Sequence, residues 1–503
     1  MLLNQFPKNI DHFKEIALKS NVIPVWVEIL ADTHTPVSLL QKVYKNRSSV
    51  FLFESVEGGK KWGRYSFLGI SARCNIRIFQ DDVRIEDKNH VKNICHNNDP
   101  IGVLKEIMQQ YNPAEFPELP RFWGGIIGYF SYEMVSFIEK IPNKWPKDKP
   151  LAHFIIPDEI LIFDNIQHTL ICMAVAFIDE SKDLANNDDA VEKAFDDANA
   201  KVKSILKIIN MSNEKVKRAA DKTEFKLTPT LDEEIFRSNV KKVKKHIIAG
   251  DIIQTVISQP FTCDTAPDPW ILYRAQRYIN PSPYLFYMYF DDLALVGSSP
   301  ETMVRLENSV ATLRPIAGTR PRGRSEQEDR NLANELLSDE KEKAEHLMLV
   351  DLGRNDLGRI AETGTVQVTD LMVVERYSHV MHLVSNVNCE MRSDCDVWDL
   401  IKATFPAGTL SGAPKIRAME IISELEETSR GAYGGAVGYI SFNGNMDMAI
   451  TIRTAVIEKN KLTVRAGAGI VADSDPERER VETVNKAMSI QKALQLLQKE
   501  IFC

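Results

Sequence analysis

The chain has 503 residues, 44% of them hydrophobic and 26% charged, with a formal net charge of −8; single cores stop growing at roughly 250–300 residues, so a two-lobed body or two domains are expected. The acidic balance excludes a general nucleic-acid or anionic-membrane surface, and no apolar run approaches the ~18 residues of a spanning helix. The N-terminus MLLNQFPKNIDHFKEIALKS lacks a cationic start before an apolar run, and the seven cysteines are scattered without CxxC spacing, which predicts no secretory leader, reduced thiols and a cytoplasmic location.

After a short amphipathic helix, segments 22–29, 49–54 and 66–70 read as strands, rich in β-branched and aromatic residues between Gly, Pro or Asn. The stretch FLFESVEGGKKWGRYSFLG (51–69) sets a glutamate and a serine at a strand end, then Gly58, Gly59, Lys60, Lys61 and Trp62. Such a loop suits a ligand carrying an ammonium and an apolar ring, although a surface hairpin is its commoner use. Strands follow at 123–129, 155–163 and 169–177, a mostly antiparallel half. From 179 to 231 a charged helix gives way to polar sequence, which divides an N-terminal region 1–225 from a domain 230–497.

Beyond that boundary, 231–249 alternates basic and apolar residues as a helix with a solvated lysine face, and 250–261 reads as a β-branched strand. INPSPYLFYMYF (279–290) is a proline turn into an aromatic strand, and LALVGSSPETMVRL (293–306) is a strand that breaks at Gly297 and delivers Glu301. RPIAGTRPRG (314–323) reads as a loop. The segment 339–359 is a helix, 405–422 a small-residue loop opening onto a helix, 430–454 a hairpin turning at Asn443 and Gly444, and 463–479 a strand ending in a glycine turn.

Glu342 and Glu345 stand three apart on one helix, and Glu479 and Glu482 repeat the spacing on another. Acids so spaced are most often a solvated face. Converging on one pocket, they would repel one another unless a hard dication or a cationic group stood among them, and Mg²⁺ suits an all-oxygen set better than Zn²⁺. Glycine loops beside strands and helices, with Arg320, Arg453 and Lys486 nearby, point to an anionic small molecule.

The motifs PIAGTRPRG, DEKEKAEHLMLVDLGRNDLGRI, ERYSHVMHLVS, FPAGTLSGAPKIRAMEII, YGGAVGYIS, AITIRT and RAGAGIVADSDPERE, spread over residues 230–495, resemble those of the chorismate-utilising enzymes in their anthranilate synthase component I branch. The resemblance implies an α+β fold of two large, mostly antiparallel sheets packed face to face with helices outside. It implies Mg²⁺ held by Glu342, Glu345, Glu479 and Glu482 against a substrate carboxylate. Tyr433, Arg453, Gly467 and Gly469, with Ala468, would hold the enolpyruvyl carboxylate. Thr319, Ala317, Gly318 and the Ser411, Gly412, Ala413 backbone would line the cavity, and Lys486 would add positive charge. Glu301 corresponds to the acid that protonates the departing C4 hydroxyl, and His382 to a histidine that assists pyruvate elimination; outside the motif, a packed core histidine is its commoner reading. Relatives making aminodeoxychorismate carry lysine where this chain has Ala317, and relatives adding water carry lysine at Gln254, so ammonia is the implied nucleophile.

FLFES and INPSPYLFYM resemble a tryptophan feedback site formed by Glu54, Ser55, Asn280, Pro281, Pro283, Tyr284 and Leu285. Leu285 stands where methionine is common and Pro260 where arginine is expected. The implied partner is a separate glutamine amidotransferase subunit, since the chain ends at Cys503 soon after the family's last helix, in a heterotetramer of two large and two small subunits. The implied activity is Mg²⁺-dependent conversion of chorismate to anthranilate and pyruvate under tryptophan feedback. The alternatives are aminodeoxychorismate synthase component I and a catalytically silent tryptophan-binding regulatory subunit. The five carboxylates argue against the second.

Overall fold

The computed structural model describes residues 2–55, 63–87, 90–178, 188–211, 224–377 and 380–498. The glycine, lysine and tryptophan positions 58–62, most of the polar stretch after 211, and Cys503 lie outside the described residues.

Two long strands organise the body. Tyr65–Ile78 and Ala152–Asp164 pair antiparallel over nearly their whole length, and each belongs to two sheets. The first sheet runs from the end of Ala152–Asp164 to Thr169–Phe177 and Val22–Leu30 on one side. On the other it runs from the start of Tyr65–Ile78 through Ser49–Glu54, Tyr284–Phe290, Leu293–Ser299, Thr454–Glu458 and Lys461–Ile470 to Gln254–Cys263. The second sheet leaves the start of Ala152–Asp164 through Gly125–Phe130, Ala436–Ser441, Met446–Ile450, Thr302–Glu307 and Val310–Leu313 to Val380–Glu390. The changeover lies at residues 157–159, opposite bulges between Gly69 and Cys74, and bulges of this kind bend a strand. Asp158 and Glu159 are buried there, and each meets a cation, Lys201 at 2.7 Å and Arg47 at 3.6 Å, as a buried carboxylate requires.

The inner faces meet through Trp26, Phe51, Phe67, Phe286 and Met288 of the first sheet and Ile127, Tyr129, Val437 and Tyr439 of the second. This is the face-to-face packing that the resemblance implies, and each such side chain contributes about 1.5–3 kcal/mol by leaving water. Helices cover the outer faces. Pro269–Ile279 and Pro476–Gln498 bury Leu272, Ala487 and Ile490 on the first sheet; Pro100–Gln109, Glu340–Gly358 and Val397–Thr404 bury Leu104, Val350 and Leu400 on the second. Two ladders cross the composition boundary near residue 225, joining Ser49–Glu54 to Tyr284–Phe290 and Gly125–Phe130 to Ala436–Ser441.

One segment differs from its sequence reading. The PIAGT stretch is not a loop but the strand Ile316–Pro321, paired with Val380–Glu390 and bulged between Ala317 and Thr319. Gly318 takes a φ of 65° there, which glycine adopts without a steric cost. The six cysteines among the described residues are free thiols, and no described helix is long and apolar enough to cross a membrane.

Candidate active site

The chain crosses from the first sheet to the second between Leu293–Ser299 and Thr302–Glu307, and back again between Met446–Ile450 and Thr454–Glu458. Glu301 and Arg453 sit in these two crossovers. Both line a cavity of about 520 Å³, walled by the strands Gln254–Cys263, Lys461–Ile470 and Ile316–Pro321 and by the helices Glu340–Gly358 and Pro476–Gln498.

All four predicted acids enter it. Asp339 caps the first helix, accepting from the backbone N–H of Lys341 and Glu342 at 3.1 and 3.2 Å, and so fixes where Glu342 and Glu345 emerge. Burial, then the neighbouring charge of Glu345, raises the pKa of Glu342. Burial also raises Glu479, with Glu482 adding and the Ser474 hydroxyl opposing. Lys486 offsets part of this charge, standing 2.8 Å from Glu482 and donating to the Gly467 carbonyl at 2.9 Å. Arg320 lies 3.8 Å from Glu342. Among the described residues no three His, Cys, Asp or Glu side chains stand close enough together to hold a metal ion. The four side chains offer only oxygen atoms, the donor type Mg²⁺ takes, and repulsion acts within each helix's pair, Glu345 on Glu342 and Glu482 on Glu479. A Cβ on Gly318 would meet Leu336 Cδ1 at 2.9 Å and Glu342 Oε2 at 3.2 Å, so glycine keeps this part of the wall open.

The opposite end is built for an anion. Arg453 lies on a backbone with φ of 50°, a conformation a non-glycine residue keeps only when its surroundings hold it there. Its side chain is half-buried, and no hydrogen bond or ion pair to its guanidinium is found among the described residues. Tyr433, Gly467 and Gly469 complete this wall. A Cβ on Gly467 would come 2.5 Å from the Tyr433 hydroxyl and 2.9 Å from the Ile257 carbonyl. Gly467→Ala is therefore expected to displace Tyr433 and raise KM for the substrate by about 10- to 100-fold at unchanged helical signal, checked by steady-state kinetics and circular dichroism.

Gln254 donates from Nε2 to Glu345 at 3.4 Å, while its Oε1 is buried without a partner among the described residues. Glu301 is buried, which raises its carboxyl to about 7 against the opposing charges of Arg453 and Lys486. His382 Nδ1 lies 3.0 Å from the Gly318 carbonyl and 3.0 Å from the Thr319 hydroxyl. A carbonyl only accepts, so Nδ1 carries the proton and Nε2 is left as the basic nitrogen. Burial lowers the pKa of the ring, which favours this neutral form.

Four predicted residues stand outside the lining. The Ser411 carbonyl accepts from Thr255 Oγ1 at 3.0 Å, and Gly412 and Ala413 pair with Thr255 and Gln254, so this backbone braces the Gln254 strand from behind. Ala468 faces away from Gly467 and Gly469 and packs with Phe236 and Val240. Sequence reasoning missed Arg465, Lys341 and Thr409, which line the cavity. Only the strand alternation that places Arg465 two residues before Gly467 signals the first of them.

Of the second predicted set, Glu54, Ser55, Pro283, Tyr284 and Leu285 line one small cavity of about 60 Å³; Asn280 and Pro281 lie outside it, at the end of the helix Pro269–Ile279. Glu54 is buried, accepting from the Tyr273 hydroxyl and from Arg277 at 3.1 Å.

Residues 51–492 match the chorismate binding enzyme family, and the chain belongs to that family. It is 45% identical over 499 residues to anthranilate synthase component 1 of Acetivibrio thermocellus, covering 97% of this chain and 99% of that protein. It is also 45% identical to the protein of the same name from Aquifex aeolicus, covering 98% of each. The crystal structure of anthranilate synthase component I from Streptococcus pneumoniae superposes with a TM-score of 0.75 at 35% identity, over 92% of this chain and 98% of that one. The menaquinone-specific isochorismate synthase of Escherichia coli, at 20% identity, a TM-score of 0.69 and coverage of 95% of each chain, shares the fold.

Proposed function

We propose that this chain is the synthase subunit that converts chorismate and ammonia to anthranilate and pyruvate in the cytoplasm, the committed step toward tryptophan. The observation that carries the reading is one cavity holding a carboxyl near its own pKa at neutral pH, Glu301, beside Arg453, whose guanidinium makes no hydrogen bond or ion pair among the described residues. Mg²⁺, held by Glu342, Glu345, Glu479 and Glu482, would clamp the ring carboxylate and screen its charge. Arg453 and Tyr433 grip the enolpyruvyl carboxylate through charge-assisted hydrogen bonds. The unpartnered Oε1 of Gln254 accepts an N–H of ammonia and turns its lone pair toward ring carbon 2. A neutral amide cannot activate water in the same way. As the C–N bond forms, the ring double bond shifts and the C4–O bond breaks, with Glu301 giving its proton to the departing hydroxyl, which leaves as water. His382 Nε2 then takes the C2 proton as enolpyruvate departs, and protonation of the enolpyruvate methylene yields pyruvate.

Ammonia would come from a separate glutamine amidotransferase subunit, in an assembly of two large and two small chains. The test supplies the purified chain with chorismate, Mg²⁺ and ammonium at alkaline pH. Anthranilate, identified by fluorescence and mass, supports the reading. Aminodeoxychorismate would place the chain in the sister branch, and glutamine-driven turnover without a partner would refute the separate subunit.

We propose tryptophan feedback at the residues around Glu54 and Ser55, where the cavity of about 60 Å³ would widen to admit an indole and Glu54 would turn from Arg277 toward the ligand's ammonium. Ser55→Phe would fill this small space, so the tryptophan needed for half-inhibition should rise at least tenfold with kcat unchanged. Inhibition assays at saturating chorismate check it.

A further inference from the structure

We propose that Ser298 is a positioning residue for Arg453, the tie by which the turn at residues 280–285 sets the grip on the substrate carboxylate. The inference rests on Arg453 being the carboxylate-binding arginine.

Ser298 lies next to the end of the strand Leu293–Ser299, between two neighbours that matter. Leu285 faces it in the ladder on one side, and on the other its backbone N–H donates to the Arg453 carbonyl at 3.3 Å. Only one strand therefore separates the 280–285 turn from the left-handed backbone that presents the guanidinium. The side chain is 1% exposed and its hydroxyl is saturated. It donates to the Asn280 carbonyl, accepts from Asn280 Nδ2 at 3.0 Å and lies 2.9 Å from the Ser282 hydroxyl. Every contact of this hydroxyl is with the turn, and the Ser298 carbonyl also accepts from Asn280 Nδ2 and Ser282 Oγ at 3.5 Å, while the backbone N–H goes to Arg453. A backbone conformation as unfavourable as that of Arg453 persists only where neighbours over-determine it. Ser298 is such a neighbour, and its own place is fixed by the turn. A ligand that moves Asn280 or Ser282 thereby moves the Arg453 carbonyl without touching the catalytic cavity.

The experiment measures KM and kcat for chorismate with ammonium, on the Mg²⁺-supplied chain, in native and Arg453→Lys backgrounds. In the native background Ser298→Ala should raise KM by about tenfold, the worth of one or two hydrogen bonds, with kcat within about twofold. Ser298→Thr, which keeps the hydroxyl, should recover most of that loss. In the Arg453→Lys background Ser298→Ala should add little, because contacts acting through one group are not additive. Equal KM increases in both backgrounds, or a fall in kcat at constant KM, would overturn the assignment. If Ser298→Ala does not fold by circular dichroism, Ser282→Ala removes a single partner and gives the same background-dependent pattern at smaller size. The half-inhibiting tryptophan concentration should rise in Ser298→Ala; an unchanged value would overturn the regulatory half. Failure of the native chain to form anthranilate would count against the proposed function, whereas chorismate affinity from equilibrium binding would still decide the role of Ser298.

Discussion

Glu301→Gln is expected to lower kcat for anthranilate formation by ~10²–10⁴, the usual worth of a positioned general acid, with KM within about threefold. The amide keeps the shape of the carboxyl but cannot surrender a proton to the C4 oxygen. The pH dependence follows from the same environment. Burial holds the carboxyl at about 7, so the proton-bearing form prevails below that value, and the rate due to this acid should fall tenfold per unit as the pH rises above it. A pH–rate profile of kcat/KM checks the limb, which should be absent from the residual rate of Glu301→Gln. The same shift has a stability consequence of definite sign. Between the unfolded value near 4.5 and the folded value near 7, the folded chain binds a proton that the unfolded chain releases. Stability from this group is therefore full below pH 4.5 and declines as the pH climbs through 7. Urea titrations at pH 5 and 7.5 should show a smaller difference for Glu301→Gln than for the native chain.

Glu426→Ala is expected to cost ~3–5 kcal/mol, the penalty for stranding buried charge. Glu426 is 8% exposed and stands among two buried guanidinium groups, Arg430 at 2.8 Å and Arg465 at 3.0 Å. It also accepts from the backbone N–H and hydroxyl of Ser258 at 2.8 and 2.9 Å. The charges of Arg430 and Arg465 hold its pKa below the ordinary value even against burial. The cluster extends to Glu133, whose carboxylate accepts from the N–H groups of Arg430 and Gly431 at 2.6 and 3.0 Å. Removing Glu426 leaves two buried cations facing each other behind the catalytic wall, which Arg465 lines. Equilibrium denaturation should give a lower midpoint at unchanged slope.

Much of the candidate site is legible in the sequence because the family motifs carry it, where spacing alone favours a solvated face. Acids three apart on two helices must share a face wherever the helices lie, and Glu342, Glu345, Glu479 and Glu482 do reach one cavity. A glycine beside a strand reports a close approach, as at Gly467 and Gly469. What the sequence hides is long-range. Nothing in FLFE announces that it pairs with Tyr284–Phe290, some 230 residues on, and such pairings depend on matching apolar faces rather than on any local signal. Nothing local marks Glu426, Arg430 and Arg465 as buried, because burial of an ion is decided by partners that are distant in the chain. The Ile316–Pro321 strand reads as a loop because its bulge and its prolines disguise the alternation. Ala468 and the Ser411 to Ala413 backbone fall on the far side of the wall for a related reason, since motif membership does not say which face a strand residue takes.

The two crossovers carry a consequence for how this protein would fail. Glu301 and Arg453 stand in the short spans that step between the sheets, Glu301 tied to the second through the Ile450 N–H and Arg453 to the first through the Ser298 N–H. A slide of one layer over the other, too slight to break a ladder or expose the interior, changes the separation of proton donor and anion anchor directly. Heating should therefore silence turnover several degrees before any melting signal appears, and cooling should restore it in full.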